Sequence, residues 1–305
     1  MKRKIVKQGA TTLMISLPSD YVKRFGLKKG QEINVLDIKN SLLITTSEQK
    51  DKKEITFSFA SVSESAIRLT LINAYRAGYD TITISNSSAL QRSIIKKVLQ
   101  NYLLGLEVTR EDQETCVLEN VTEPNKENFE MLFQKLFSNI ALMIEGTEKH
   151  LKDNTSFDYQ SLMFNIHKYD NFCRRIMTKQ NLYSDKALFF WNFLSTLIHS
   201  PRELYHLNKY LDNSNRSALN QEHTAMFNLL SNLKTVFALV REAYHHKDIK
   251  TIEEIHQKVN TLLTTEMYPA LEKQVALHHL GSAVPNLHLS TSPLIGLFLT
   301  SNEKI

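Results

Sequence analysis

Residues 1–37 read MKRKIVKQGATTLMISLPSDYVKRFGLKKGQEINVLD. Ile5 and Val6 open a short strand that turns through Gly9, Ala10, Thr11 and Thr12. Leu13, Ile15 and Leu17 then alternate with Met14 and Ser16, the period-two pattern of a half-buried strand. Pro18 suits the first turn of a helix. Tyr21, Val22 and Phe25 follow at helical spacing, and Gly26 stands where a helix C′ residue in the left-handed conformation is expected. Lys28, Lys29 and Gly30 turn the chain into Ile33 and Val35. A last strand at 42–44 follows the turn at Lys39 and Asn40. Charge is concentrated in the same place. Residues 1–30 hold eight Lys/Arg and one acid, Asp20, a local charge of +7, whereas the whole chain carries +5. The other 275 residues therefore sum to −2 (5 − 7). All the net basicity lies at one end, which points to an anionic partner.

Four short strands and one short helix within residues 1–47 bury too little surface to be stable alone, and pairing with a second copy is the expected remedy. The stretches LMISLPSDYV (13–22) and FGLKKGQEINV (25–35) resemble the SpoVT/AbrB swapped-hairpin domain, with the Leu-Pro, Gly-Leu and Lys-Gly landmarks in matching order. That resemblance implies two interleaved hairpins forming a dimeric module that binds DNA through basic residues. The matching positions here are Arg3, Lys4, Lys7, Lys23 and Arg24. Lysine and arginine neutralise phosphates and release counterions, which gives salt-dependent affinity. Arg3 and Arg24 are the residues best suited to bidentate base contacts. The competing reading of these cations is a solvated, solubilising surface.

The remaining composition bounds the function classes. With 305 residues, 42% apolar and 23% charged, the chain suits a multidomain globular protein. The most apolar run, ALFFWNFLSTLI at 187–198, is too short for a bilayer span, which needs ~20 residues. No membrane insertion is expected, and the basic start lacks the apolar core of a signal peptide. Cys116 and Cys173 have no metal or redox spacing, so a reduced, cytoplasmic setting is expected. No phosphate loop, nucleophile elbow or paired acid–base spacing appears, so an enzyme is not expected.

After a charged linker at 47–54, residues 53–121 read β-α-β-α-β-β, a small α/β layer with helices on one face. From 124 to about 280 the pattern turns to long amphipathic helices. Phe129, Leu132, Phe133, Leu136, Phe137, Ile140 and Ile144 keep the i, i+3, i+4, i+7 rule. A third helix, 184–211, is expected to kink or split at Pro201. Residues 281–305 read as a tail, and His245 and His246 as a solvated loop. The expected fold is thus multidomain α+β: a small β-rich swapped-hairpin head, a small α/β layer, and a C-terminal all-α helical bundle.

The stretches AIRLTLINAYRAGYDTITI (66–84) and ENFEMLFQKLFSNIALMIEG (127–146), with the head before them, are similar to archaeal-type PhoU-like phosphate-uptake regulators. The resemblance implies a transcriptional regulator of phosphate homeostasis acting as a dimer on DNA. The alternative it leaves open is an adaptor that docks on a transporter or sensor protein without touching DNA. PhoU bundles hold metal through Glu-x-x-x-Asp motifs on neighbouring helices, and this sequence departs from that. It offers His199, Glu203 and His206 on one helix face and Asp170 on the facing helix, followed by Arg174 instead of an acid. Imidazole and carboxylate suit a divalent transition metal. The competing reading is an ordinary bundle surface interrupted by Pro201.

Overall fold

The computed structural model describes residues 2–9, 11–38, 41–45, 52–121, 126–179, 186–213, 223–267 and 275–289. The chain is mixed α+β and separates into two compact units, 1–52 and 53–305.

In the first unit, β1 (Val6–Gln8) pairs antiparallel with β2 (Thr12–Met14), and β3 (Asn34–Ile38) pairs antiparallel with β4 (Ser41–Thr45). Between the hairpins stands α1 (Ser19–Arg24), which follows Pro18 at its N-cap. Asp20 in its first turn and Lys23 and Arg24 in its last complement the helix dipole. Its end is a Schellman turn. The Leu27 amide donates to the Val22 carbonyl at 3.0 Å and the Gly26 amide to the Lys23 carbonyl at 3.3 Å. Gly26 has φ +59° there, the left-handed value its position predicted. The Tyr21 hydroxyl donates to the Ile44 carbonyl at 3.0 Å and ties the helix to β4. Strand β2 stops at Met14, earlier than the alternation to Leu17 suggested, and Leu13 and Ile15 are 66% and 55% exposed. No described side chain of this unit is buried.

The second unit opens with a four-stranded sheet in the order β5-β6-β8-β7. Strand β5 (Glu54–Phe57) runs parallel to β6 (Thr81–Ser85), and β7 (Leu106–Glu111) and β8 (Thr115–Asn120) complete it antiparallel. Ile82 and Ile84 alternate with Thr81, Thr83 and Ser85, and only the isoleucines are fully buried. Helices α2 (Glu64–Arg76) and α3 (Ala89–Tyr102) supply the apolar faces of this layer. Ser88 and Gln91 form a reciprocal capping box at the start of α3.

Among the described residues seven helices follow: α4 (Lys126–Asp153), α5 (Tyr159–Lys179), α6 (Ala187–Leu197), α7 (His199–Asn213), α8 (His223–His246), α9 (Ile249–Leu262) and α10 (Val275–Leu289). A π turn, Leu263–Met267, extends α9. The α4 stripe of Phe129, Phe133 and Phe137 meets Phe190, Phe193 and Tyr244, with ring centroids 4.8–6.5 Å apart. Such spacing adds edge and offset ring attraction to plain burial.

The helix expected over 184–211 splits near Pro201, one of the two outcomes expected there: it divides at Ile198, so Pro201 falls in the first turn of α7, where its missing N–H costs no helical bond. Three other expectations change. His245 and His246 are exposed but close α8 instead of lying in a loop. The bundle does not end at 280: α10 runs through Gly281 and Pro285 and buries Leu280, Ala283, Val284 and Leu287. Residues 290–305 of the expected tail lie outside the described residues. The sheet layer and the bundle, read as separate domains at 53–121 and 124–280, share one buried core.

Candidate nucleic-acid interface and a guanidinium-lined cavity

Five cations singled out in the first unit, Arg3, Lys4, Lys7, Lys23 and Arg24, are all exposed. Arg3 and Lys4 precede β1, Lys7 lies on it opposite Leu13, and Lys23 and Arg24 end α1. The Arg24 guanidinium stands 5.7 Å from the Phe25 ring centroid, within reach of a cation–π contact. Among the described residues none of the five has a carboxylate partner. Unpaired, solvated cations on a small unit are free to neutralise phosphates.

The metal candidates are not brought together. Asp170 is buried, and both its oxygens are taken by guanidinium groups: Arg76 Nη2 at 2.8 Å from Oδ2, and Arg174 Nε at 2.8 Å from Oδ1. Arg174 stands where a metal-binding pattern needs a second acid, and it converts Asp170 from a ligand into an ion-pair partner. His199, Glu203 and His206 do share α7, but Glu203 Oε2 pairs with His279 Nδ1 at 2.9 Å. The His206 ring lies over that of His279, with centroids 6.0 Å apart. Among the described residues no three His, Cys, Asp or Glu stand close enough to hold a metal ion.

Helix α5 instead carries a run of buried polar and charged residues. Arg175 is fully buried. It donates to Asp80 Oδ1 at 2.7 Å and to the Tyr75 and Tyr79 carbonyls at 3.0 and 2.7 Å. Its guanidinium stands 4.9 Å from the Tyr75 ring centroid. Lys179 Nζ reaches Asp80 Oδ2 at 2.5 Å. Burial alone would raise the Asp80 carboxyl. Hydrogen bonds from Lys179 and the Lys53 amide, with the charges of Lys179 and Arg175, hold it below the usual carboxylate range. Asn171 accepts from Arg76 Nε at 2.7 Å and donates to the Tyr102 carbonyl at 2.8 Å. These bonds join α5 to the start of β6 and to the ends of α2 and α3.

Beside this network lies a cavity of about 510 Å³ between α2, the end of α3, α5 and α7. Arg68, Arg76, Arg202, His167 and His206 line it. Burial, then the charges of Arg202, Arg76 and Arg68, push the His167 imidazole down to about 3, so it is neutral. Sequence reading missed Arg68, Arg76, Arg202 and His167, and took His206 only as a metal candidate. Their signal is polar residues on one face of each of three helices: Arg68 and Arg76 eight residues apart about Ile72, and His167 with Asn171 and Arg202 with His206 four apart.

No helix among the described residues is long and apolar enough to cross a membrane. Protein-family models, curated proteins and solved structures give no match to the chain.

Proposed function

We propose that this protein is a dimeric, cytoplasmic DNA-binding regulator whose first unit contacts the duplex. The observation that carries this reading is the set of exposed cations Arg3, Lys4, Lys7, Lys23 and Arg24, which have no carboxylate partner among the described residues. They stand on a unit whose apolar side chains are open in the single chain. Ile5 is 67% exposed, Leu13 66% and Leu42 64%. Two-strand hairpins with no covered face are marginal in water, and a second copy would cover these side chains and present the cations in duplicate. The resemblance to SpoVT/AbrB heads on PhoU-like regulators points to phosphate uptake as the process controlled.

The test is a mobility-shift titration of the full chain with duplex DNA over a range of salt. Intact protein is expected to bind at low salt. Removing one cation that neutralises a phosphate should lower the slope of log affinity against log salt by about 0.9. Lys4→Ala with Arg24→Ala should therefore weaken binding uniformly across sequences and flatten that slope. Absence of any shift at low salt removes the reading.

A second reading, an adaptor that docks on a transporter or sensor protein, is favoured by α6. That helix exposes Leu188 at 86%, with Phe189 and Trp191 at 40% and 36%. A partner retained by the chain when the cations of the first unit are replaced would support it.

A further inference from the structure

The cavity between α2, α3, α5 and α7 belongs to neither reading. Arg68, Arg76 and Arg202 converge on it, and among the described residues no Asp or Glu lines it. The nearby carboxylate, Asp170, is already neutralised by Arg76 and Arg174. Arg68 reaches the Tyr102 hydroxyl at 3.4 Å and stands 5.5 Å from that ring's centroid, and neither contact offsets its charge. The Arg202 side chain is exposed at the rim and has no carboxylate partner among the described residues. Arg68 and Arg202 thus face one cavity with their charges not offset by a carboxylate among the described residues, and a bound anion would offset both. Guanidinium forks match the oxygens of phosphate in pairs.

The rest of the wall selects the body of the ligand. Tyr102 and Phe164 meet edge to face at 5.4 Å, and Tyr102 and His167 lie 5.6 Å apart. Ile72 and Met163 add apolar surface. Rings and aliphatic groups beside cations suit a flat, partly apolar group joined to an anion. A volume of about 510 Å³ lies in the range of ordinary small-molecule sites, roughly 300–1,000 Å³, and exceeds what a bare phosphate fills. We propose that this cavity binds a nucleoside phosphate, the phosphoryl group held by Arg68 and Arg202 and the base lodged against Tyr102 and Phe164. Because α2, α5 and α7 each supply a contact, occupancy would bind the sheet layer to the bundle.

The test is calorimetric titration of the full chain, at low salt, with AMP, ADP, inorganic phosphate and adenosine. AMP or ADP is expected to bind, inorganic phosphate more weakly, and adenosine more weakly still. Arg202→Ala, at an exposed side chain, should lower nucleotide affinity roughly tenfold with the melting temperature unchanged. Arg68→Ala should do the same. Lys4→Ala with Arg24→Ala should leave nucleotide affinity intact, which separates the cavity from the first unit. If no phosphorylated probe binds up to millimolar concentration, or if the Arg68→Ala, Arg202→Ala double variant binds as well as the parent, the proposal is overturned. Inorganic phosphate binding as tightly as AMP overturns the nucleoside assignment. The DNA-binding reading is scored separately, by the mobility shift.

Discussion

In residues 1–52 no described side chain is buried, whereas residues 53–305 close over a continuous core that includes a fully buried arginine. The first unit keeps its cations unpaired and exposed. The second sinks Arg175, Asp80, Arg174 and Asp170 among helices and matches each charge with an opposite one. The contrast separates two sources of order. A small unit with open apolar strands buries no described side chain of its own, and in the proposed dimer it would gain stability by association and leave its charges available to a partner. A large unit can sink charged groups only where every one is paired, because an unpaired buried charge costs several kcal/mol. Its charges therefore fix the seam between sheet and bundle, and only those left over, around Arg68 and Arg202, remain for a ligand.

The sharpest way to break this contrast is Asp80→Asn. It leaves Arg175, which has no exposed surface, and the nearly buried Lys179 without their carboxylate. Removing one partner of a buried pair costs about 3–5 kcal/mol. Trp191, the chain's single tryptophan, lies on α6 in the second unit and reports its unfolding alone. Urea titration followed by its fluorescence should show that cost, and the DNA binding proposed for the first unit should be unchanged in a mobility shift. The pH dependence has a definite sign. Asp80 is held below the usual carboxylate value in the fold. Its contribution is full above the unfolded value, about 3.9, and is lost as pH falls through the lower folded one. The parent should therefore lose stability in acid more steeply than the Asn variant, and the two should draw together below about pH 4. Parallel curves would show that the pair adds nothing at this seam.

How much of this was legible follows the range of the interactions. Pro18 and Gly26 act within one turn, and α1 begins and ends where they indicate. The apolar period of α4 and the division between α6 and α7 near Pro201 also depend on neighbours a few residues apart. Helix α10 was missed although Leu280, Ala283, Val284 and Leu287 keep the i, i+3, i+4, i+7 spacing. Gly281 and Pro285 read locally as breakers, and burial against α7 and α8 overrides them. The pairing of Asp170 with Arg76 and of Arg175 with Asp80 joins residues 94 and 95 positions apart. No local pattern encodes such partners, so Asp170 read as a ligand and the lining of the cavity went unseen.

A smaller perturbation sharpens the comparison from the side of packing. Gly146 lies in the middle of α4, and a Cβ there would stand 2.5 Å from Phe157 Cε2. Phe157 packs on Tyr159 and on the buried His150. Gly146→Ala must push that ring away, and overpacking of this kind costs about 1–3 kcal/mol, more than the helix propensity gained from alanine, about 1 kcal/mol. A drop in the urea midpoint by Trp191 fluorescence is expected. Cutting back the ring with Phe157→Leu in the same chain should recover part of it. A Gly146→Ala chain as stable as the parent would show that the second unit is more plastic at this point than its burial suggests.

The smallest expected effect tests the first unit by the same substitution for a different reason. Gly26 has φ +59° and nothing within 4 Å of where a Cβ would be. Gly26→Ala meets no neighbour, and its cost is conformational alone, about 1 kcal/mol for a left-handed residue with a Cβ. The amides that register it are those of the Schellman turn, Gly26 donating to Lys23 and Leu27 to Val22. One kcal/mol is a factor of roughly five in a local opening equilibrium at 25 °C, so hydrogen exchange at the Leu27 amide should quicken about fivefold. Gly26→Asn, which tolerates this backbone better than alanine, should quicken it less, and Trp191 unfolding should not move for either variant. Exchange that ranks Asn and Ala alike would mean that the turn is not what sets the end of α1. Lys23 and Arg24, in the last turn before it, would then owe their place to the Tyr21 bond with β4 instead.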